Sequence, residues 1–218
     1  MKLEPRRKRG AAVAAVIIAA VLSVCLLVFL PDKRAHGSYT LTVLFTGDLH
    51  GDMEKLPYYY TVIQQERKQG NVLLLDCGDL FYGGPPQSQG GQPEAVMLAA
   101  MDYDAMTLGN NEFKCTQNTA QACNKQIENL SRSLGFPVLC ANIKKDGNYL
   151  SGVKPYTVIN KNGLRIAVAG LTTDKIDNAE VRDKTLEDPV AAFDALYEEM
   201  KAKSDIIIVL SHCEEKQN

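Results

Sequence analysis

The sequence is poor in the residues that build self-contained metal or redox sites. Its 218 residues include three histidines, His36, His50 and His212, and no Cys-x-x-Cys pair, which excludes a structural zinc site of that type. Residues 81–92 hold four glycines and two prolines but no lysine, and no Gly-Lys-Ser/Thr follows, so this stretch is not a phosphate-binding loop. It reads as a surface excursion that either rims a site or only connects elements. No internal repeat is present. A composition of 45% hydrophobic and 23% charged residues excludes collagen, coiled coil and wholesale disorder, and the length suits one domain with a sizeable core. Basic character is confined to one end: the net charge of −2 divides into +4 over the first ten residues and −6 over the rest. The body therefore has no signature of a nucleic-acid binder.

What the chain does have is one long apolar run. Ala11–Leu30 is twenty residues without a charge, about the length of a membrane-spanning helix. Lys2, Arg6, Arg7, Lys8 and Arg9 precede it, and only Lys33 and Arg34 follow closely. The positive-inside bias then predicts a cytoplasmic segment at 1–10, a single-pass signal anchor at 11–30, a linker at 31–38 and an extracytoplasmic domain at 39–218. Cleavage after Ala35-His36-Gly37, releasing a secreted domain, is the alternative. Cys25 lacks the small preceding residue of a lipoprotein signal. The exported part keeps Cys77, Cys115, Cys123, Cys140 and Cys213, an odd number, so at least one is unpaired. A Cys115–Cys123 bridge would close a short loop, which sequence alone leaves open.

Beyond the linker, strand-like and helix-like segments alternate as in βαβ units, which predicts an α/β fold. Tyr39–Thr46, Val72–Leu75 and Ala105–Leu108 read as buried parallel strands. Lys55–Gln69, ended by Gly70, Pro93–Met101 and Asn118–Leu134 read as helices. Pro155–Asn160 and Leu164–Ala169 form a hairpin across Asn162-Gly163, since Asn-Gly readily takes positive φ. Asp188 and Pro189 start a helix over Val190–Lys203 with Ala192, Phe193, Leu196 and Met200 at helical spacing, and Asp205–Leu210 is the last strand.

Potential metal ligands recur just after these strands. Asp48 and His50 lie two apart in Gly47-Asp48-Leu49-His50-Gly51, on a segment read as extended, where alternate side chains share a side. Asp79 ends Asp76-Cys77-Gly78-Asp79, a placement suited to a bridging carboxylate, while Asp76 reads as a helper or a turn residue. Asn110 offers an amide oxygen in Gly109-Asn110-Asn111-Glu112-Phe113, and His212 follows the last strand. Each motif alone is weak; four in order at strand ends converge on one sheet edge, where open α/β folds keep their sites.

From about Tyr39 to His212 this pattern resembles the calcineurin-like metallophosphoesterases, most closely their exported 5′-nucleotidase and UDP-sugar hydrolase branch. Leu41–Gly51, Asp76–Leu80, Leu108–Phe113 and Ile206–His212 carry the resemblance, with Gly170-Leu171-Thr172-Thr173 and Glu187-Asp188-Pro189 in support. It implies an αββα sandwich and a hydrolase acting on a small phosphoester, a nucleotide in this branch. It also implies two divalent ions (Mn, Zn, Fe, Ca or Mg) whose bridging hydroxide attacks phosphorus. On that pattern Asp48 and His50 hold the first metal, Asp79 bridges, Asn110 and His212 hold the second, and Glu112 orients its neighbour. Asn111 stands where the family has a histidine that contacts phosphate and assists the leaving group. The family's Gly-His-x-His segment is absent as well. The resemblance therefore leads us to expect a domain incomplete at its carboxyl end, from truncation or with a second polypeptide supplying the remainder. A catalytically impaired binding or remnant protein is the alternative function.

Overall fold

The computed structural model describes residues 40–80, 92–115 and 117–214; the expected anchor, the linker and residues 81–91 of the glycine-rich excursion lie outside them. Among the described residues no helix is long and apolar enough to cross a membrane.

Strand β1 (Leu41–Thr46), helix α1 (Leu56–Gln69) and strand β2 (Asn71–Asp76) open the domain. Pro57 stands in the first turn of α1, where its missing N–H costs nothing. β1 and β2 run parallel from Leu41 opposite Asn71 to Thr46 opposite Asp76, so both strands end level and their loops emerge side by side. Helix α2 (Gln92–Ala100) leads to β3 (Ala105–Thr107). Helix α3 (Ala120–Ser133) is capped by Thr119, whose side chain accepts the Ala122 N–H at 3.2 Å, and leads to β4 (Val138–Leu139). After β5 (Ile143–Lys145) and β6 (Asn148–Tyr149), β7 (Val153–Lys154) completes a parallel sheet in the order β1-β2-β3-β4-β7.

The hairpin of β8 (Tyr156–Lys161) and β9 (Leu164–Thr172) turns at Asn162 and Gly163, with φ of 52° and 89°. β10 (Thr185–Leu186) pairs with β5 in a small third sheet. Helix α4 (Pro189–Lys203) starts where the Asp188 carboxylate accepts the Ala191 N–H at 2.8 Å. β11 (Ile206–His212) then pairs in parallel with β9, giving a second sheet in the order β11-β9-β8.

Alternation along single strands builds the layers. On β2, Val72 and Leu74 join the core beneath α1, α2 and α3, whereas Leu73 and Leu75 face Ile166, Val168 and Leu210 of the second sheet. On β9, Ala167 and Ala169 turn the other way and pack on Met200 of α4. The outcome is helices, sheet, sheet, helix: the αββα sandwich. Each buried Val, Leu, Ile or Met among them contributes roughly 1.5–3 kcal/mol. Gly170 lets the sheets approach closely, because a Cβ there would stand 2.6 Å from that of Leu139. The five cysteines of this domain are free thiols, Cys115 and Cys123 among them, and both of these are buried.

Candidate metal centre

The level ends of β1 and β2 decide the local geometry. Beyond them the two loops are zipped together: Asp48 N–H donates to the Gly78 carbonyl at 2.9 Å, His50 N–H to Asp79 at 3.0 Å, and Gly51 N–H to Leu80 at 2.9 Å. Within this zipper Asp48, His50 and Asp79 all take positive φ, 54°, 49° and 56°. Left-handed backbone costs roughly 1–2 kcal/mol per residue, which the backbone hydrogen bonds offset. This corrects the expectation of an extended segment. Asp48 and His50 are brought together by a turn that reverses each residue, and His50 Nε2 lies 3.3 Å from Asp48 Oδ1.

Asp79 sits at the middle of the group and is nearly buried. Its Oδ2 is 3.7 Å from His50 Nε2, and its Oδ1 is 3.4 Å from His212 Nε2. His212 reaches this point from the second sheet, and its Nε2 is also 3.2 Å from Asn110 Oδ1. Its Nδ1 lies 2.8 Å from the Cys77 carbonyl. A carbonyl can only accept, so Nδ1 carries the proton and donates it. Nε2 is left to face the carboxylate and the amide. Burial opposes the imidazolium form, but the hydrogen bond and charge of Asp79 outweigh it and hold the His212 pKa up to about 9. Burial likewise pushes Asp79 up, yet His212 and the Asn111 N–H outweigh it, and its carboxyl titrates below the usual range.

Two further acids fix the loops. Glu112 is fully buried and accepts three backbone N–H groups: Asp79 at 2.9 Å, Leu80 at 2.8 Å and Gly109 at 2.6 Å. It thereby ties the Asp79 loop to the Asn110 loop. Gly109 is required beside it, since a Cβ at this position would collide with the Asp79 carboxylate. Asp76, also fully buried, accepts Gly78 N–H at 2.9 Å and the Thr46 hydroxyl at 2.6 Å, with Tyr103 OH 2.8 Å from that hydroxyl. Burial drives its pKa up to about 7. Burial also pushes the Cys77 thiol up to about 11, which removes it as a thiolate ligand or nucleophile near neutral pH.

Asn111 N–H donates to Asp79 Oδ1 at 2.8 Å and one N–H of its side-chain amide donates to Asp79 Oδ2, so the side chain rests on the carboxylate. Sequence reading missed the Cys77 carbonyl and the Thr46–Tyr103 support, because each depends on a partner remote along the chain.

Ligand atoms of Asp48, His50 and Asp79 lie within 4.8 Å of one another, and His212 and Asn110 approach the other Asp79 oxygen. Carboxylate, imidazole and amide oxygen donors of this kind suit a hard or borderline divalent cation. A cavity of about 590 Å³ opens beside them, lined by Asp48, Asn110 and His212 and by Lys114, Thr173 and Lys175, among others. That is within the size range of small-molecule sites.

Comparison with known proteins places the chain among characterised relatives. The chain is 33% identical to a 5′-nucleotidase of Vibrio cholerae over 97% of its own length and 41% of that protein's. It is 32% identical to Protein UshA of Escherichia coli over 94% of this chain and 39% of the relative. The chain thus spans about two fifths of the length of these curated relatives. Among solved structures, the NAD nucleotidase of Haemophilus influenzae superposes with a TM-score of 0.69 at 26% identity, covering 81% of this chain and 39% of that one. Residues 41–217 match the family described as calcineurin-like phosphoesterase. With that match over most of its length and its αββα layers, the chain belongs to the calcineurin-like phosphoesterase family.

Proposed function

We propose that the protein hydrolyses a phosphomonoester, a nucleotide in particular, with two divalent cations held at the strand ends. Asp48, His50 and Asp79 would hold one, and Asp79, Asn110 and His212 the other. The observation that carries this is the division of Asp79, with one oxygen toward His50 and the other toward His212. Bound there, the cations would supply Lewis-acid charge and a water of lowered pKa.

The chain's own residues do the rest. The Cys77 carbonyl anchors Nδ1–H of His212 and so orients the ring, with Nε2 toward the site, where it would give up its proton to hold a cation. Glu112 keeps the Asp79 and Asn110 loops in fixed relation. Asn111 positions Asp79 and delivers no proton, so the departing alcohol leaves without a general acid from this residue. Turnover of p-nitrophenyl phosphate and AMP with added Mn²⁺, abolished in Asp79→Asn, is the test. Absence of turnover in the wild-type chain would favour the second reading, a binding or remnant protein, to which the occupied Asn111 amide lends support.

The proposed organisation places 1–10 in the cytoplasm, a membrane anchor at 11–30 and the domain at 39–218 outside, supported by the basic start and the uncharged run. A fused reporter active only outside the cytoplasm should work with the run present and fail when 11–30 is deleted.

A further inference from the structure

We propose that Thr172 and Asn142 are positioning residues for the second cation, a buried brace between the two sheets that keeps His212 paired with Asn110. This rests on the reading of the strand ends as a two-cation site. His212 ends β11 and Asn110 lies in the loop after β3, yet His212 Nε2 and Asn110 Oδ1 are 3.2 Å apart. The apolar contacts between the sheets, such as those of Leu73 and Leu75 with Val168 and Leu210, carry no direction and do not by themselves fix such a distance. A directional tie is needed.

Thr172 supplies it. It ends β9 and stands opposite His212 in the pairing of β9 with β11, and the next residue, Thr173, donates its N–H to the His212 carbonyl at 2.9 Å. The Thr172 hydroxyl crosses to the first sheet and donates to the carbonyl of Leu108, two residues before Asn110. These two hydrogen bonds join the backbone around one ligand residue to the backbone around the other. Asn142 in turn holds Thr172 by both of its main-chain groups: Oδ1 accepts the N–H at 2.9 Å and Nδ2 donates to the carbonyl at 2.6 Å. Both residues are fully buried, where hydrogen bonds are strong and a lost partner is costly. Asp48 and His50 depend on other bonds, those from their N–H groups to the Gly78 and Asp79 carbonyls. The brace therefore acts on one half of the site.

Thr172→Val keeps the side-chain shape and removes the hydroxyl. Mn²⁺ calorimetry on the full chain should find two ions in wild type; in Thr172→Val one ion is weakened by about 10- to 100-fold and the other stays within about threefold. His212→Ala should remove the same ion that Thr172→Val weakens, and Thr172→Ser should restore it. Ile127→Val, in the core beneath the helices, should lower the melting temperature and leave both affinities alone, which separates positioning from mere stability. Equal affinities in wild type and Thr172→Val, an equal loss of both ions, or no rescue by Thr172→Ser overturns the brace and leaves the two-cation reading standing. A wild type that binds fewer than two ions sinks that reading, and the metal-free protein then decides the brace. With isotope-labelled histidine, the Nδ1 proton that His212 donates to the Cys77 carbonyl should give a slowly exchanging signal in wild type and Thr172→Ser that is lost in Thr172→Val. A signal kept in Thr172→Val overturns the proposal. If Thr172→Val does not fold, Thr172→Cys, a weaker donor of similar size, takes its place with the same outcomes.

Discussion

Asp79 and His212 meet at 3.4 Å, Oδ1 to Nε2, although Asp79 follows β2 of the first sheet and His212 ends β11 of the second. The site therefore lies where the carboxyl edges of two stacked sheets come together. Anything that shifts one sheet against the other changes the pair, and with it the two faces of the Asp79 carboxylate.

Metal binding should depend on Asp79 more than on any other single ligand. After loading with Mn²⁺ and gel filtration, plasma mass spectrometry is expected to find more than one equivalent per wild-type chain. Asp79→Asn should lose affinity by about 100-fold or more, exceeding the loss in His50→Ala or His212→Ala, since it borders both halves. Wild-type stoichiometry retained in Asp79→Asn would remove the bridging assignment.

Without a proton donor at Asn111, rate should fall steeply as the leaving group becomes more basic. A series of aryl and alkyl phosphates gives the slope of log kcat/KM against leaving-group pKa. Asn111→His is expected to flatten that slope and raise turnover of alkyl esters by on the order of 10²-fold. Equal slopes in the two proteins would show that the position does not govern protonation.

Asp76 makes the metal-free protein less stable as pH rises. Its folded pKa of about 7 lies above its ordinary 3.8, so the folded state favours the protonated carboxyl. That stability is complete below the ordinary value and is lost as pH climbs through about 7. Asp76→Asn keeps the shape, and its amide can donate to Thr46. Urea melts in EDTA should show wild type losing on the order of a few kcal/mol between pH 5 and 8, with Asp76→Asn nearly flat by comparison. The same slope in both would refute this cause.

Glu112→Gln should destabilise the fold by about 1–3 kcal/mol, because one of the three amide donors then faces an NH₂ group instead of a carboxylate oxygen. Metal affinity should fall with it, since the Asp79 and Asn110 loops lose their common anchor. Thermal melting with and without Mn²⁺ checks both effects. A variant as stable as wild type would mean that Glu112 is not the tie between the loops.

Features with a local cause were legible in the sequence. Asp188 and Pro189 start α4 because capping and a fixed φ need no distant partner, and Asn162-Gly163 turns the β8–β9 hairpin because both residues tolerate positive φ. The short strands β4, β5, β6, β7 and β10, of two or three residues, left no periodic trace. The start of α3 was placed at Asn118 where Thr119 is the cap, as neighbouring polar residues compete for that role. At the site, residue types could be read, but the turn that joins Asp48 to His50 could not, because positive φ at a non-glycine residue depends on the Gly78 and Asp79 carbonyls across the zipper.

By itself, the sequence determined the kind of donors at the strand ends, their order, and the family to which that order belongs. The tertiary structure decided their pairing: His212 against Asp79 and Asn110, Glu112 across two loops, and Asn111 turned onto Asp79. The physical reason is range. Capping and turn propensities act over a few residues, whereas these contacts exist only once level parallel strands and two packed sheets bring remote loops within hydrogen-bonding distance.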